Sequence, residues 1–122
     1  MARMRLHCLL IVLALLPDLA GADALNGEQL FTACAGCHAV TEGAPHGVGP
    51  NLHGLRGRKA GTVEGFAFSP ALQASEITWE EGTLTAWILA TEGMVPGTWM
   101  LYHNHLEAGE VAKLVDYLLQ PE

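Results

Sequence analysis

Near the C-terminus Val111, Leu114, Val115 and Leu118 fall at i, i+3, i+4 and i+7, with Glu110, Lys113 and Asp116 between them. That stripe predicts an amphipathic helix, the clearest in the chain, with Pro121 as its stop. Leu84, Trp87 and Ile88 share one face of a second helix. Thr78-x-x-Glu81 reads as the capping box that opens it, and Gly93 as its end. Asn26 with Gln29 forms another box, opening a short helix through Leu30 and Phe31. Ser69-Pro70 is a cap followed by a first-turn proline, predicting a brief helix from Pro70 towards Ser75. β-Branched residues are scattered and never alternate over a useful length, so strand signals are weak. The pattern predicts an all-α domain of three to four helices.

The segments between the helices are long. Glu42 to Gly65 holds seven glycines and two prolines with no sustained apolar period, and Glu92 to Tyr102 is a loop punctuated by Pro96-Gly97. Loops of this length are anomalous in a compact helical domain unless they wrap something. A large, flat, apolar cofactor would supply the missing core.

The first residues form a separate unit. Arg3 and Arg5 precede an uninterrupted apolar run from Cys8 to Leu16, Pro17 ends it, and Ala20-Gly21-Ala22 offers a small-residue cleavage pattern. This is the layout of a secretory signal peptide. The run from Leu6 to Leu16 is 11 residues, against the roughly 20 that a spanning helix needs. Residues 1–22 are therefore expected to be removed, with Ala24 as the next cleavage point, leaving 23–122 as a single domain. Export through a bacterial inner membrane places the product in the periplasm.

Removal of the leader takes Arg3, Arg5 and Asp18 with it, so four basic and twelve acidic side chains remain, a net charge of −8. Nucleic acid is excluded as a partner, since its phosphates demand a basic face. Cys8 also leaves, and the mature chain keeps only Cys34 and Cys37.

Those two cysteines stand in Cys34-Ala35-Gly36-Cys37-His38, the C-x-x-C-H pattern of covalent c-type haem attachment. Two thiols three residues apart on a helical turn can both reach the vinyl edge of a porphyrin. The histidine that follows is then held beneath the iron. A zinc site would want four ligands, and no second cysteine pair exists; a redox dithiol would want a βαβ setting, which is absent.

With this motif stand Gly49-Pro50-Asn51-Leu52-His53-Gly54, Gly57-Arg58-Lys59, Gly65-Phe66, Ile77-Thr78-Trp79 and Val95-Pro96-Gly97-Thr98-Trp99-Met100. In this order and spacing, over nearly all of residues 24–120, the chain resembles a class I cytochrome c of the mitochondrial type and its bacterial photosynthetic relatives. The resemblance implies a small fold of helices and long loops around one covalent haem c. It implies Cys34 and Cys37 as thioether ligands, with His38 and Met100 as axial ligands of the iron. Met94, the other methionine of the mature chain, is left to packing, and His46, His53, His103 and His105 to loop or surface positions.

By the same resemblance the Pro50 carbonyl accepts the N–H of His38, fixing its tautomer and donor strength. Arg58 and the Trp79 indole are partners of a haem propionate, Thr98 adds a hydroxyl, and Gly27 and Phe31 meet Leu114 and Tyr117 where the first and last helices pack. Three positions depart from the mitochondrial type. Phe68 stands for a tyrosine that bonds a propionate, Trp87 for a tyrosine near the methionine sulfur, and Leu72 for a polar residue of an internal water site. Trp99 takes a position often held by lysine beside the exposed haem edge, and the mature chain has just two lysines, Lys59 and Lys113.

The expected function is a soluble, monomeric one-electron carrier between periplasmic or membrane redox proteins, docking near Trp99 and Tyr102 and binding no small-molecule substrate. Two readings compete. One is a dedicated haem subunit of a periplasmic dehydrogenase or oxidase, and the other an open-site haem peroxidase or gas sensor. The last would need acid–base residues above the iron, and no distal His/Arg pair stands out.

Overall fold

A computed structural model of the chain describes residues 24–120. The leader expected over 1–22 and the stop expected at Pro121 lie outside the described residues. Five helical segments run in the order α1 (Gly27–Phe31), α2 (Pro70–Gln73), α3 (Glu81–Leu89), α4 (Thr91–Met94) and α5 (Ala108–Leu118), with no strand among the described residues.

Local chemistry starts α1 and α2 where the sequence places them. The Asn26 side chain accepts the Gln29 N–H and the Gln29 side chain returns the bond to the Asn26 N–H, both at 2.9 Å. The Ser69 hydroxyl accepts the Leu72 N–H at 3.1 Å, with Pro70 in the first turn, where its missing N–H is not needed. Helical turns continue beyond α1. The N–H of Cys37 reaches the Cys34 carbonyl at 3.1 Å, and that of His38 reaches the same oxygen at 3.0 Å.

The helix expected to open at Thr78 and close at Gly93 differs at both ends. Thr78 is held in an isolated antiparallel bridge with Lys59. Its carbonyl accepts the Thr83 hydroxyl, which in turn accepts the Glu80 N–H at 2.9 Å. Glu80 is therefore the N-cap, two residues later than the sequence suggests. At the other end Ala90 leaves helical geometry (φ −151°, ψ 67°), and a separate turn, α4, begins. The buried Thr91 hydroxyl donates to the Trp87 carbonyl at 2.7 Å across this break, satisfying an acceptor at the end of α3.

The core lies where α5 meets α1 and α3. Val111, Leu114, Val115 and Leu118 are buried on α5, Leu30 and Phe31 on α1, and Leu84, Trp87 and Ile88 on α3. The Phe31 and Tyr117 rings meet at 5.9 Å. Gly27 makes the close crossing possible, because a Cβ there would strike Tyr117 and lie 2.6 Å from the Lys113 carbonyl oxygen.

The glycine-rich segment is ordered by side chains bonding to backbone. Asn51 is buried and donates to the carbonyls of Thr41 (2.7 Å) and Ala44 (3.0 Å) while accepting the His53 N–H. His46 accepts the Asn51 N–H at Nδ1 and donates from Nε2 to the Glu64 carbonyl, both at 2.9 Å. Three backbone bonds clip residues 57–60 to 77–79: Gly57 N–H to Trp79 at 2.8 Å, Trp79 N–H to Arg58 at 2.9 Å and Ala60 N–H to Ile77 at 2.7 Å. These bonds replace the ladder that a segment so poor in secondary structure lacks.

Candidate functional site

These elements enclose a cavity of about 440 Å³, within the roughly 300–1,000 Å³ of small-molecule and cofactor sites. The turn after α1 contributes Cys34, Cys37 and His38; the glycine-rich loop adds Gly49, Pro50, Leu52, Leu55 and Arg58. Phe66, Phe68 and Leu72 come from around α2, Trp79, Leu84, Trp87 and Ile88 from in and before α3, and Leu114 and Leu118 from α5. Thr98 and Met100 complete the wall. All nine residues expected at the site line this one cavity. Met94 packs against the core instead, and His46, His53, His103 and His105 are absent from the cavity wall.

His38 is the most constrained of these side chains. Its Nδ1 lies 2.7 Å from the Pro50 carbonyl oxygen, and a carbonyl only accepts, so Nδ1 carries the proton and Nε2 keeps a lone pair. Burial pushes the His38 pKa below its ordinary value, outweighing the carbonyl bond that favours the charged ring. The backbone of Gly49 lies flat against the imidazole; a Cβ there would collide with the ring, 2.7 Å from Nδ1 and Nε2. Sequence reasoning names Gly49 only as part of a motif. Its role depends on a contact between segments eleven residues apart.

Cys34 is half-buried and Cys37 exposed, and no disulfide joins them. Burial raises the Cys34 pKa, with a smaller contribution from Cys37. Among the described residues no three His, Cys, Asp or Glu side chains converge as a metal site, so the pair has no zinc-type partners there. The buried Thr98 hydroxyl accepts the Met100 N–H at 3.3 Å, restraining the backbone that carries the half-buried Met100. Trp79 and Trp87 meet edge to face at 5.5 Å.

Arg58 donates to the carbonyls of His53 (3.0 Å) and Asn51 (3.2 Å), and burial lowers its pKa. It is a half-buried cation on a cavity whose lining includes no carboxylate. A ligand bearing an anionic group fits that arrangement. Sparse apolar residues of the loops, Val63 and Phe66 among them, also line the cavity; they carry no periodicity that would mark them in the sequence. Tyr102 is half-buried, its hydroxyl 3.3 Å from the Asn104 side chain, so the exposed apolar residues at this rim are Val48, Trp99 and Leu101.

An apolar cavity, a thiol pair on a helical turn, an imidazole with one nitrogen uncommitted, a thioether and a half-buried guanidinium fit a covalently held haem. The Cytochrome c family model matches residues 24–121. The chain is 42% identical to cytochrome c of Nigella damascena over 97 residues, covering 79% of this chain and 87% of that one. It is 39% identical to cytochrome c2 of Blastochloris viridis over 112 residues, covering 92% and 88%. Among solved structures, cytochrome cH from Methylobacterium extorquens superimposes with a TM-score of 0.71 at 38% identity, over 80% of this chain and 97% of that one. The chain belongs to the cytochrome c family. It is accordingly a monohaem electron carrier with one covalent haem c, acting with redox partners and not as an enzyme.

Proposed function

We propose that the chain is a periplasmic one-electron carrier whose haem is tethered by Cys34 and Cys37 and held axially by His38 and Met100. The bound haem supplies a ferric/ferrous couple. With Nδ1 committed to Pro50, Nε2 of His38 is the nitrogen that would bind the iron, and the carbonyl bond would increase the electron donation of the ring. The Met100 thioether, a soft and weak donor, favours the ferrous state. Trp79, Trp87, Leu72 and Phe68 line the pocket with largely apolar surface, which would also favour the less charged centre. Arg58, Trp79 and Thr98 hold the propionates. His38 and Met100 together would fill both axial positions and leave none for a substrate.

The observation that carries this reading is the committed Nδ1 of His38, seated against Gly49 in the same cavity as both thiols and Met100. Periplasmic location and removal of residues 1–22 rest on the basic, apolar and small-residue pattern of the leader. The match to Blastochloris cytochrome c2 spans 92% of the chain, so it reaches back into that leader. We further infer that the product is a monomer docking its partners near Trp99 and Tyr102.

Expression with a haem-ligating maturation system, followed by acid–acetone extraction and optical spectroscopy, tests the assignment. The expected product keeps its haem through extraction and shows a methionine–iron band in the ferric state that Met100→Ala abolishes. A ferric spectrum identical in Met100→Ala and the parent would overturn the ligand assignment.

A further inference from the structure

Among the described residues Val48 (80% exposed), Trp99 (65%) and Leu101 (71%) are three of the five large hydrophobic side chains that stand out from the surface. All three lie on the lining of the same cavity as Cys34, His38 and Met100. Among residues 24–120 every cationic side chain has a partner within the chain. Arg56 donates to the Leu119 carbonyl at 2.8 Å, and Arg58 donates to Asn51 and His53. Lys59 pairs with Glu76 at 3.6 Å, and Lys113 approaches the Leu25 carbonyl at 3.4 Å. Of the ten carboxylates in the same span nine are exposed, and none lines the cavity.

Four basic against twelve acidic side chains give residues 23–122 a net charge of −8. An acidic protein would be repelled at long range, and so would a second copy of this chain. Close in, the exposed side chains of Val48, Trp99 and Leu101 offer uncharged contact area.

From this charge complementarity we infer that Val48, Trp99 and Leu101 form the docking surface for a redox protein with a Lys/Arg rim around an apolar centre. The inference rests on the electron-carrier reading above and names the chemistry of its partner. Opposite fields set the approach, and burial of Trp99 and Leu101 holds the complex with the cavity facing the partner.

The test uses the haem-loaded, reduced protein and, as probe, a lysine-rimmed mitochondrial cytochrome c in the ferric state. One electron leaves each reduced molecule and reduces one molecule of probe, with no atoms exchanged. Stopped-flow rates are measured from about 0.01 M to about 0.15 M salt, where the screening length falls from about 30 Å to about 8 Å. The bimolecular rate is expected to fall about tenfold over this range. Trp99→Gln combined with Leu101→Gln lowers it about fivefold or more at every salt concentration, beyond any change that the variant's own measured reduction potential accounts for. A rate that is flat or rises with salt overturns the basic-rimmed partner. An unchanged rate in the double variant overturns the surface, as does sedimentation showing a dimer that Trp99→Gln dissolves, which assigns the face to a second copy. Loss of the haem on extraction would instead fail the carrier reading.

Discussion

Gly49 is the residue on which the proximal side of the pocket turns. Adding one carbon there forces the His38 ring to move, and the ring cannot move without stretching its 2.7 Å bond to Pro50. Gly49→Ala is expected to destabilise the protein by about 1–3 kcal/mol, as overpacking does. It should also raise the reduction potential, because a less polarised imidazole donates less to ferric iron. Thermal denaturation and potentiometric titration check the two effects separately; an unchanged potential would mean that the carbonyl does not tune the ring. The cysteines and His38 were legible in the sequence because their spacing is set within one helical turn. Gly49 was not, since its constraint exists only once two segments are folded together, and the exposure of Leu101 was hidden for the same reason.

At the scale of elements, α1 depends on α5. Gly27→Ala places a methyl group against Tyr117 and the Lys113 carbonyl and is expected to cost about 1–3 kcal/mol. For a domain of this size each kcal/mol lowers Tm by about 4–8 °C, so differential scanning calorimetry resolves the change. Removal of the Thr91 hydroxyl by Thr91→Val leaves the Trp87 carbonyl without its 2.7 Å partner and should cost about 1 kcal/mol or more in the same measurement. The starts of α1 and α2 and the buried face of α5 were legible because caps and apolar stripes are local. The start of α3 was misread at Thr78, a good capping residue drawn away by its bridge to Lys59. The break at Ala90 carries no local signal, and Gly93, the obvious terminator, lies inside α4.

For the whole molecule the cavity decides the order of assembly. At about 24 cal/mol per Å³ of cavity, a volume of about 440 Å³ corresponds to at most about 11 kcal/mol. That matches the entire stability of a typical domain, about 5–15 kcal/mol. The variant Cys34→Ala/Cys37→Ala, unable to tether the haem, is expected to lose most of its helical far-ultraviolet circular dichroism; a cooperative native-like melt would contradict this. The clip between residues 57–60 and 77–79 has a further effect at this scale. Arg58 and Trp79, two of the three side chains proposed to hold the propionates, sit on opposite halves of one fastener. Their grip on the cofactor is therefore shared, and a fluctuation that releases one releases the other. The amides of Gly57, Ala60 and Trp79 should then exchange with deuterium at a single common rate, as one latch that opens whole or not at all.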